Sequence, residues 1–422
     1  MSDFKEMRRN KEFDKIIGIY NSEMNVESAD KWDTWNFIYA LKVSEKNFEA
    51  EEISLKLFEL HPEFEYNKNI LSWILFENHV KKFKNSDKAL EATVFILKNI
   101  TQCKESSYTN AVWEMTEHFK INKNFDKAVE WLKKIDVELL SSDSRKYYVE
   151  SDEKVYYYYS EKEHWYSTMS KLLFDLENYE ECIAICSESL KNISEFHHDN
   201  DIWINFRLLY SKAFLYEDAE LIKELEDLSE RKNHFILYFY IFRLKSKLGL
   251  TADAIDSGCK ACLSISPDKM KIKVYYELGI FLYDHLDKNI GSKHILLCKL
   301  IREKEGWIVP SNYSVYTEDL TTKNYKELKT ELIEFWNIRL KRELNFFEGE
   351  IVKIFVDKGF GFIKCEEGNV YFSTKQFTSG ASNKLQQGSK IRFNIVDAYD
   401  KKKKQNSVRA INIQFVEEEI NE

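Results

Sequence analysis

Lys358-Gly359-Phe360-Gly361-Phe362-Ile363-Lys364 decides how the C-terminal part of this chain is read. In an extended strand alternate side chains share a face. That places Lys358, Phe360, Phe362 and Lys364 on one side, and Gly359, Gly361, Ile363 and Cys365 on the other. Two aromatics bracketed by two lysines form a stacking surface with a phosphate-attracting rim, which suits single-stranded nucleic acid. If the same face were instead turned into a core, the lysines would be buried while Ile363 and Cys365 met water.

Around this stretch, from about Phe347, short alternating segments are separated by Gly, Asn and Ser: Glu350–Phe355, Lys358–Cys365, Asn369–Phe372, Lys390–Val396 and Val408–Phe415. Five short strands in so little chain predict a small barrel. The segment 347 to 415 resembles a cold-shock domain. The Lys-Gly-Phe-Gly-Phe-Ile motif stands at Lys358 to Ile363, and Asn369-Val370-Tyr371-Phe372-Ser373-Thr374 takes the place of the family's second motif. Phe377, Leu385 to Gly388, the alternating Ile391, Phe393 and Ile395, and Ala410 to Ile413 fit its later elements. The resemblance implies a five-stranded OB-type barrel that binds single-stranded RNA or DNA by aromatic stacking.

The candidate nucleic-acid-binding residues are Lys353, Phe355, Lys358, Phe360, Phe362, Lys364, Tyr371, Lys375 and Arg409. Three positions depart from the family pattern. Ile354 stands where it has a stacking Trp, Ser373 replaces the usual His, and Thr374 replaces an aromatic. Binding weaker than a full platform gives is expected, with electrostatics making up part of the loss. The run Lys401 to Lys404 reads equally as extra phosphate contacts or as a solvated loop.

Upstream the pattern is helical and repeats. A template of bulky residues at relative positions 4, 7 and 11, an aromatic near 17 and a small residue at 20 recurs. It fits Trp73, Phe76, Val80 and Ala89, then Val112, Met115, Phe119, Phe125 and Ala128, then Tyr166, Met169, Leu173, Tyr179 and Cys182. Trp203, Phe206, Tyr210 and Ala219 follow, then a looser Tyr238, Ile241 and Ala254, and finally Tyr275, Leu278, Gly279, Leu282 and Gly291. A weaker copy surrounds Ala50. The first three positions form one apolar stripe of a helix, and the small residue marks where a second helix crosses the first closely.

These units, over roughly residues 30 to 305, resemble tetratricopeptide repeats. Extra sequence from Ser141 to Glu163 reads as a longer helix pair or a surface insertion, and Tyr325 to Asn345 as a capping helix. The expected fold is mainly α: a TPR-like superhelix over 1–345, an OB-type barrel over 346–416 and an acidic tail over 417–422.

Composition agrees with a helical array. Gly is 12 and Pro 3 in 422 residues, too few for the turns of a large β-rich or α/β enzyme. The net charge of −9 is uneven. Twelve basic and seven acidic residues between Glu348 and Phe415 give that segment +5, which leaves −14 for the rest. A basic module on an acidic body points to a polyanion partner for the module alone. No signal peptide is expected in the charged stretch Met1 to Phe13, and the longest apolar run, Phe235 to Phe242, is too short to span a bilayer. Seven scattered Cys predict reduced thiols and a cytoplasmic location.

Neither Cys259 with Cys262 nor Cys182 with Cys186 has a second pair or a His at finger-like spacing, so both pairs are read as core residues, and no metal or cofactor is expected. His197 to Asp201 reads as an inter-helix loop with a capping Asp. No catalytic constellation stands out, so the chain is not expected to be an enzyme.

The resulting expectation is an adaptor that binds single-stranded RNA or DNA through the barrel and a protein or peptide in the repeat groove, away from membranes. Two other readings are a pure protein-interaction scaffold whose barrel has drifted from binding, and a regulatory subunit of a bacterial stress or phage-defence system. The abundance of Lys, Asn and Ile hints at an AT-rich bacterial genome.

Overall fold

The computed structural model describes residues 4–81, 86–104, 106–149, 154–318, 320, 324–340, 346–377, 385–400 and 405–416. They fall into two compact units, Met1–Ser211 and Lys212–Glu422. The first unit holds α1 (Phe4–Arg9), α2 (Phe13–Glu23), α3 (Lys31–Val43), α4 (Asn47–Leu60), α5 (Glu65–Leu75), α6 (Ser86–Asn99), α7 (Ser107–Ile121), α8 (Phe125–Leu132), α9 (Glu161–Asp175) and α10 (Tyr179–Asn192). Helix α11 (Asn200–Tyr216) carries the chain into the second unit. There follow α12 (Ala219–Lys232), α13 (Phe235–Lys247), α14 (Thr251–Leu263), α15 (Ile272–His285), α16 (Lys288–Lys304), α17 (Ser314–Thr317) and α18 (Tyr325–Arg339).

Neighbouring helices pack in pairs, α3 on α4, α7 on α8, α9 on α10, α13 on α14 and α15 on α16. The small residue of the sequence template stands fourth in the second helix of a pair six times, at Ala50, Ala89, Ala128, Cys182, Ala254 and Gly291, and all six are buried. Ala219 differs, being the first residue of α12.

The turns recur as well. Lys11, Glu45, Lys123, Glu177 and Gly249 each lie two residues before a helix, with φ of 57° to 72°. In each case the next N–H reaches back to a carbonyl of the preceding helix, as Asn124 does to Phe119 at 2.8 Å and Lys46 to Leu41 at 3.0 Å. This left-handed closure satisfies carbonyls that the helix end leaves open. Asn124 and Asn178 then cap the following helix, their side chains accepting from the N–H groups of Lys127 and Glu181.

The crossing of α15 and α16 shows why the fourth position must be small. A Cβ placed on Gly291 would lie 2.5 Å from the Tyr283 backbone nitrogen and 2.6 Å from the Gly279 carbonyl oxygen. The extra sequence between Ser141 and Glu163 is a surface insertion of strand type, not a longer helix pair. It forms an antiparallel hairpin of β1 (Arg145–Val149) and β2 (Lys154–Tyr158).

In the second unit the capping helix α18 packs on α14 and α16. Trp336, fully buried, stacks parallel to Tyr275 at 5.7 Å and donates its indole N–H to Nε2 of His294 at 2.8 Å. Nδ1 of His294 donates to the Ile290 carbonyl at 2.8 Å, so the network requires the neutral Nδ1–H tautomer.

Asp268 completes the joint. Its carboxylate takes Lys329 at 2.9 Å and the Tyr275 hydroxyl at 2.5 Å, and accepts from the Tyr325 hydroxyl. Burial alone would raise this carboxyl, but Lys329 and Lys271 outweigh it and hold it far below the usual range.

His294 gives a prediction. Burial pushes its pKa down to about 4, below the ordinary 6.5. A depressed histidine lets the unfolded chain take up a proton that the folded chain refuses. Its stabilisation is therefore complete above about pH 6.5 and lost as pH falls towards 4, by about 3 kcal/mol in all. Asp268, held low, keeps its contribution above about pH 3.8 and loses it only as pH falls further, in a separate window. Urea unfolding of the full chain, followed by Trp fluorescence at pH 7 and pH 4.5, should show the loss in the wild type and a much smaller one in His294→Gln. Equal losses would show that His294 is not the source.

Five strands close a barrel in the order β3 (Phe346–Phe355), β4 (Phe360–Cys365), β5 (Gly368–Ser373), β7 (Gln405–Phe415) and β6 (Lys390–Asp400). All pairings are antiparallel except β5 with β7. The topology is of OB type. Ile351, Ile363, Val370, Phe372, Ile391, Phe393, Ala410 and Ile413 fill the interior. β3 begins four residues before the expected strand, and β6 and β7 extend further towards each other. The run Lys401 to Lys404 and the tail 417–422 lie outside the described residues.

Candidate nucleic-acid interface

Strand β4 alternates as its sequence requires. Gly361 and Ile363 are buried, while Phe360 and Phe362 are half-buried on the outer face and Lys364 is exposed. Only Gly can occupy position 361, because an added Cβ would sit 2.5 Å from the Lys353 carbonyl oxygen and 2.6 Å from the Phe372 ring. The next strand supplies Tyr371 directly beside Phe362, with Val370 and Phe372 pointing inward.

One expectation is corrected at the start of the motif. Lys358 is not part of the strand but closes a 3-10 turn, Val356–Lys358, and Gly359 follows in the left-handed region at φ 68°. That backbone reversal breaks the alternation before Phe360. Lys358 is exposed because of the turn, not because of strand periodicity.

Strand β3 reaches the same face by a different device. Ile351 pairs with Ile363, but Lys353 pairs with Phe362, so one extra residue is accommodated as a bulge. The shift places Lys353 and Phe355 outward and Ile354 towards the core. Lys353 Nζ then lies 5.0 Å from the centre of the Phe355 ring.

The four rings form one continuous surface. Phe355 and Phe360 have centroids 4.8 Å apart, Phe360 and Tyr371 5.7 Å, Phe362 and Tyr371 6.0 Å, and Phe360 and Phe362 6.2 Å. Lys353, Lys358 and Lys364 rim it, all exposed, and among the described residues none of the three is paired with a carboxylate. Arg409 is placed beside Tyr371 by the parallel β5–β7 pairing. Lys375 lies in the turn Thr374–Gln376, and its side chain is outside the described residues.

Ser373 and Thr374 occupy the two positions that follow the platform strand. Both turn their hydroxyls to the Gly359 carbonyl, at 3.4 Å and 3.2 Å, and the Thr374 N–H joins them at 3.0 Å. They lock the left-handed turn in place.

Residues 348–414 match the family model of the 'Cold-shock' DNA-binding domain. The match supports nucleic-acid binding by the barrel. No curated protein matches the chain.

Beyond the expected residues, the cold-shock domain carries a second aromatic–cation pair. Arg392 lies 4.2 Å from the centre of the Phe346 ring, which is exposed. Glu348 and Glu350 stand on the same outer face between Phe346 and Lys353. Their charge separates the two aromatic surfaces and bounds the cationic rim. The sequence signal was the alternation Phe346, Glu348, Glu350, visible only once β3 is known to start at Phe346.

Proposed function

We propose that this protein binds single-stranded RNA or DNA on the outer face of its barrel, and that its paired helices hold a protein partner. The observation that carries the first part is the unbroken ring surface of Phe355, Phe360, Phe362 and Tyr371, rimmed by lysines that pair with no carboxylate among the described residues. Each ring offers a base a stacking partner whatever the sequence, and the lysines attract the backbone. Arg409 and Lys375 extend the phosphate contacts. The second part rests on the acidic balance of the helical residues, which suits a basic or amphipathic segment, and on the recurring helix pair with its tetratricopeptide-like spacing. The protein is proposed to work in the cytoplasm of a bacterium without chemistry of its own, and a regulatory role in a stress or defence system fits this combination.

The test is fluorescence anisotropy of the full chain with labelled single-stranded RNA and DNA across salt concentrations. The Lys358→Ala/Lys364→Ala variant should weaken binding, and its slope of log affinity against log salt should be shallower by roughly 0.7 per lysine. An unchanged slope would place the phosphates elsewhere. No binding by folded protein at low salt would leave the scaffold reading. That reading is favoured by Ser373 and Thr374, whose hydroxyls serve the turn and not the platform.

A further inference from the structure

Within the second unit a cleft of about 530 Å3 lies between the capping helix α18 and the barrel. Its volume falls in the range of roughly 300–1,000 Å3 that holds small ligands. Helix α18 lines it with Lys326, Lys329, Thr330 and Ile333, and the loop from α14 to α15 with Ser264, Asp268 and Lys271. The barrel contributes Gln376, Phe377 and Ile411.

These barrel residues tie the cleft to the aromatic platform. Ala410 and Ile413 belong to the barrel core, whereas Ile411 stands outside that core and faces the cleft, only 5 % exposed. Two residues back on the same strand, about 6.6 Å away, Arg409 lies beside Tyr371 of the platform. A stacked strand advances about 3.4 Å per nucleotide, so this gap is about two nucleotide steps. Gln376 and Phe377 follow Lys375 directly. Both segments that carry the rim residues beyond Tyr371 therefore run on into the cleft.

The charges in the cleft favour an anion. Three lysines face one carboxylate, which leaves an excess of two positive charges. Lys271, lowered by burial to about 8, keeps its charge at pH 7 and donates to the carbonyls of Cys262 and Ser264 at 2.7 Å and 3.0 Å. Asp268 is already engaged by Lys329 and by the Tyr275 and Tyr325 hydroxyls. Lys326 is exposed and pairs with no carboxylate among the described residues. The apolar side chains of Ile333, Phe377 and Ile411 lie next to this cationic lip. A nucleotide, with a flat base and a charged phosphate, matches both halves.

We propose that the cleft is a nucleotide subsite of the nucleic-acid interface: a single strand crossing the aromatic platform passes Arg409 and lays a further base against Phe377, Ile411 and Ile333, with its phosphate on Lys326. The inference rests on the platform reading of the barrel. Lys329, held by Asp268, adds fixed positive charge behind the phosphate. The capping helix thereby becomes part of the binding surface, and the site is longer than the barrel alone would give.

The test uses the full chain and labelled oligouridine and oligothymidine spanning ~4–16 nucleotides, the range of OB-fold sites. Wild-type affinity should step up once a strand is long enough to reach past the platform. Lys326→Ala and Thr330→Trp, both at exposed positions of α18, should remove that step and leave the shortest strands bound as before. For long strands Lys326→Ala should also make the salt slope shallower by roughly 0.7. A 4-thiouridine at one end of a long strand should crosslink to the α18 peptide that contains Lys326. Crosslinks confined to the barrel from either end would overturn the proposal. So would long strands that bind both α18 variants like the wild type but lose affinity for Phe360→Ala/Phe362→Ala, a result that leaves the platform standing. Failure of every strand to bind the wild type at low salt would sink the platform reading, and the cleft with it.

Discussion

Phe360→Ala/Phe362→Ala should lose single-strand affinity by at least about thirtyfold, with the fold of the barrel intact. Stacking on an aromatic ring contributes about 1–3 kcal/mol per base, so two rings at the low end give about 2 kcal/mol. The effect is large because the two side chains sit in the middle of the surface. Removing Phe360 also strips Phe355 and Tyr371 of a neighbouring ring. The fold should survive because both rings are half-buried on the outer face, while Gly361 and Ile363 carry the packing. Anisotropy at two salt concentrations checks it, with circular dichroism as the folding control. A double variant that binds like the wild type would move the site off this face, whatever the salt dependence of the lysine variants.

Gly291→Ala should cost about 3 kcal/mol or more, an extreme effect for adding one methyl group. Overpacked cores ordinarily lose about 1–3 kcal/mol and escape through side-chain rearrangement. Here the clash is with backbone, at 2.5 Å to the Tyr283 nitrogen and 2.6 Å to the Gly279 oxygen, so only a separation of α15 from α16 relieves it. The pair would then part next to the buried Trp336–His294 network that seats α18.

Gly18→Ala provides the contrast. Gly18 lies exposed inside α2 and a Cβ there meets nothing within 4 Å. Alanine should raise stability by up to about 1 kcal/mol, because glycine is the weaker helix former. Denaturant midpoints of the two variants should move in opposite directions. A destabilisation at Gly291 below 1 kcal/mol would show that the helix crossing is looser than drawn.

Much of this was legible in the sequence because two periodicities dominate it. A small residue at the fourth position of a second helix is a steric requirement, and Ala50, Ala128 and Cys182 announce it without a structure. The barrel was legible from Phe360 to Ile363, where two-residue alternation and invading glycines leave one arrangement. Periodicity failed where the backbone leaves regular geometry. Alternation extends the strand back to Lys358, because it cannot register the left-handed Gly359. The segment of β1 and β2 reads as a longer helix pair or a surface insertion, since it interrupts a helical series.

The bulge in β3 makes the binding face a matter of arithmetic. Side chains on a strand change sides with every residue, so the extra unit between Ile351 and Lys353 determines which half of the strand's tip belongs to water. Were the strand regular through Val352, with no bulge, Ile354 would be turned outward and Phe355 to the interior. The identity of the residues in the first strand would then matter less than their parity. Within a lineage, a codon lost at Val352 would only straighten the strand and keep the platform, whereas a codon lost or gained between Lys353 and Phe355 would turn part of it inward while leaving the motif at Phe360 untouched.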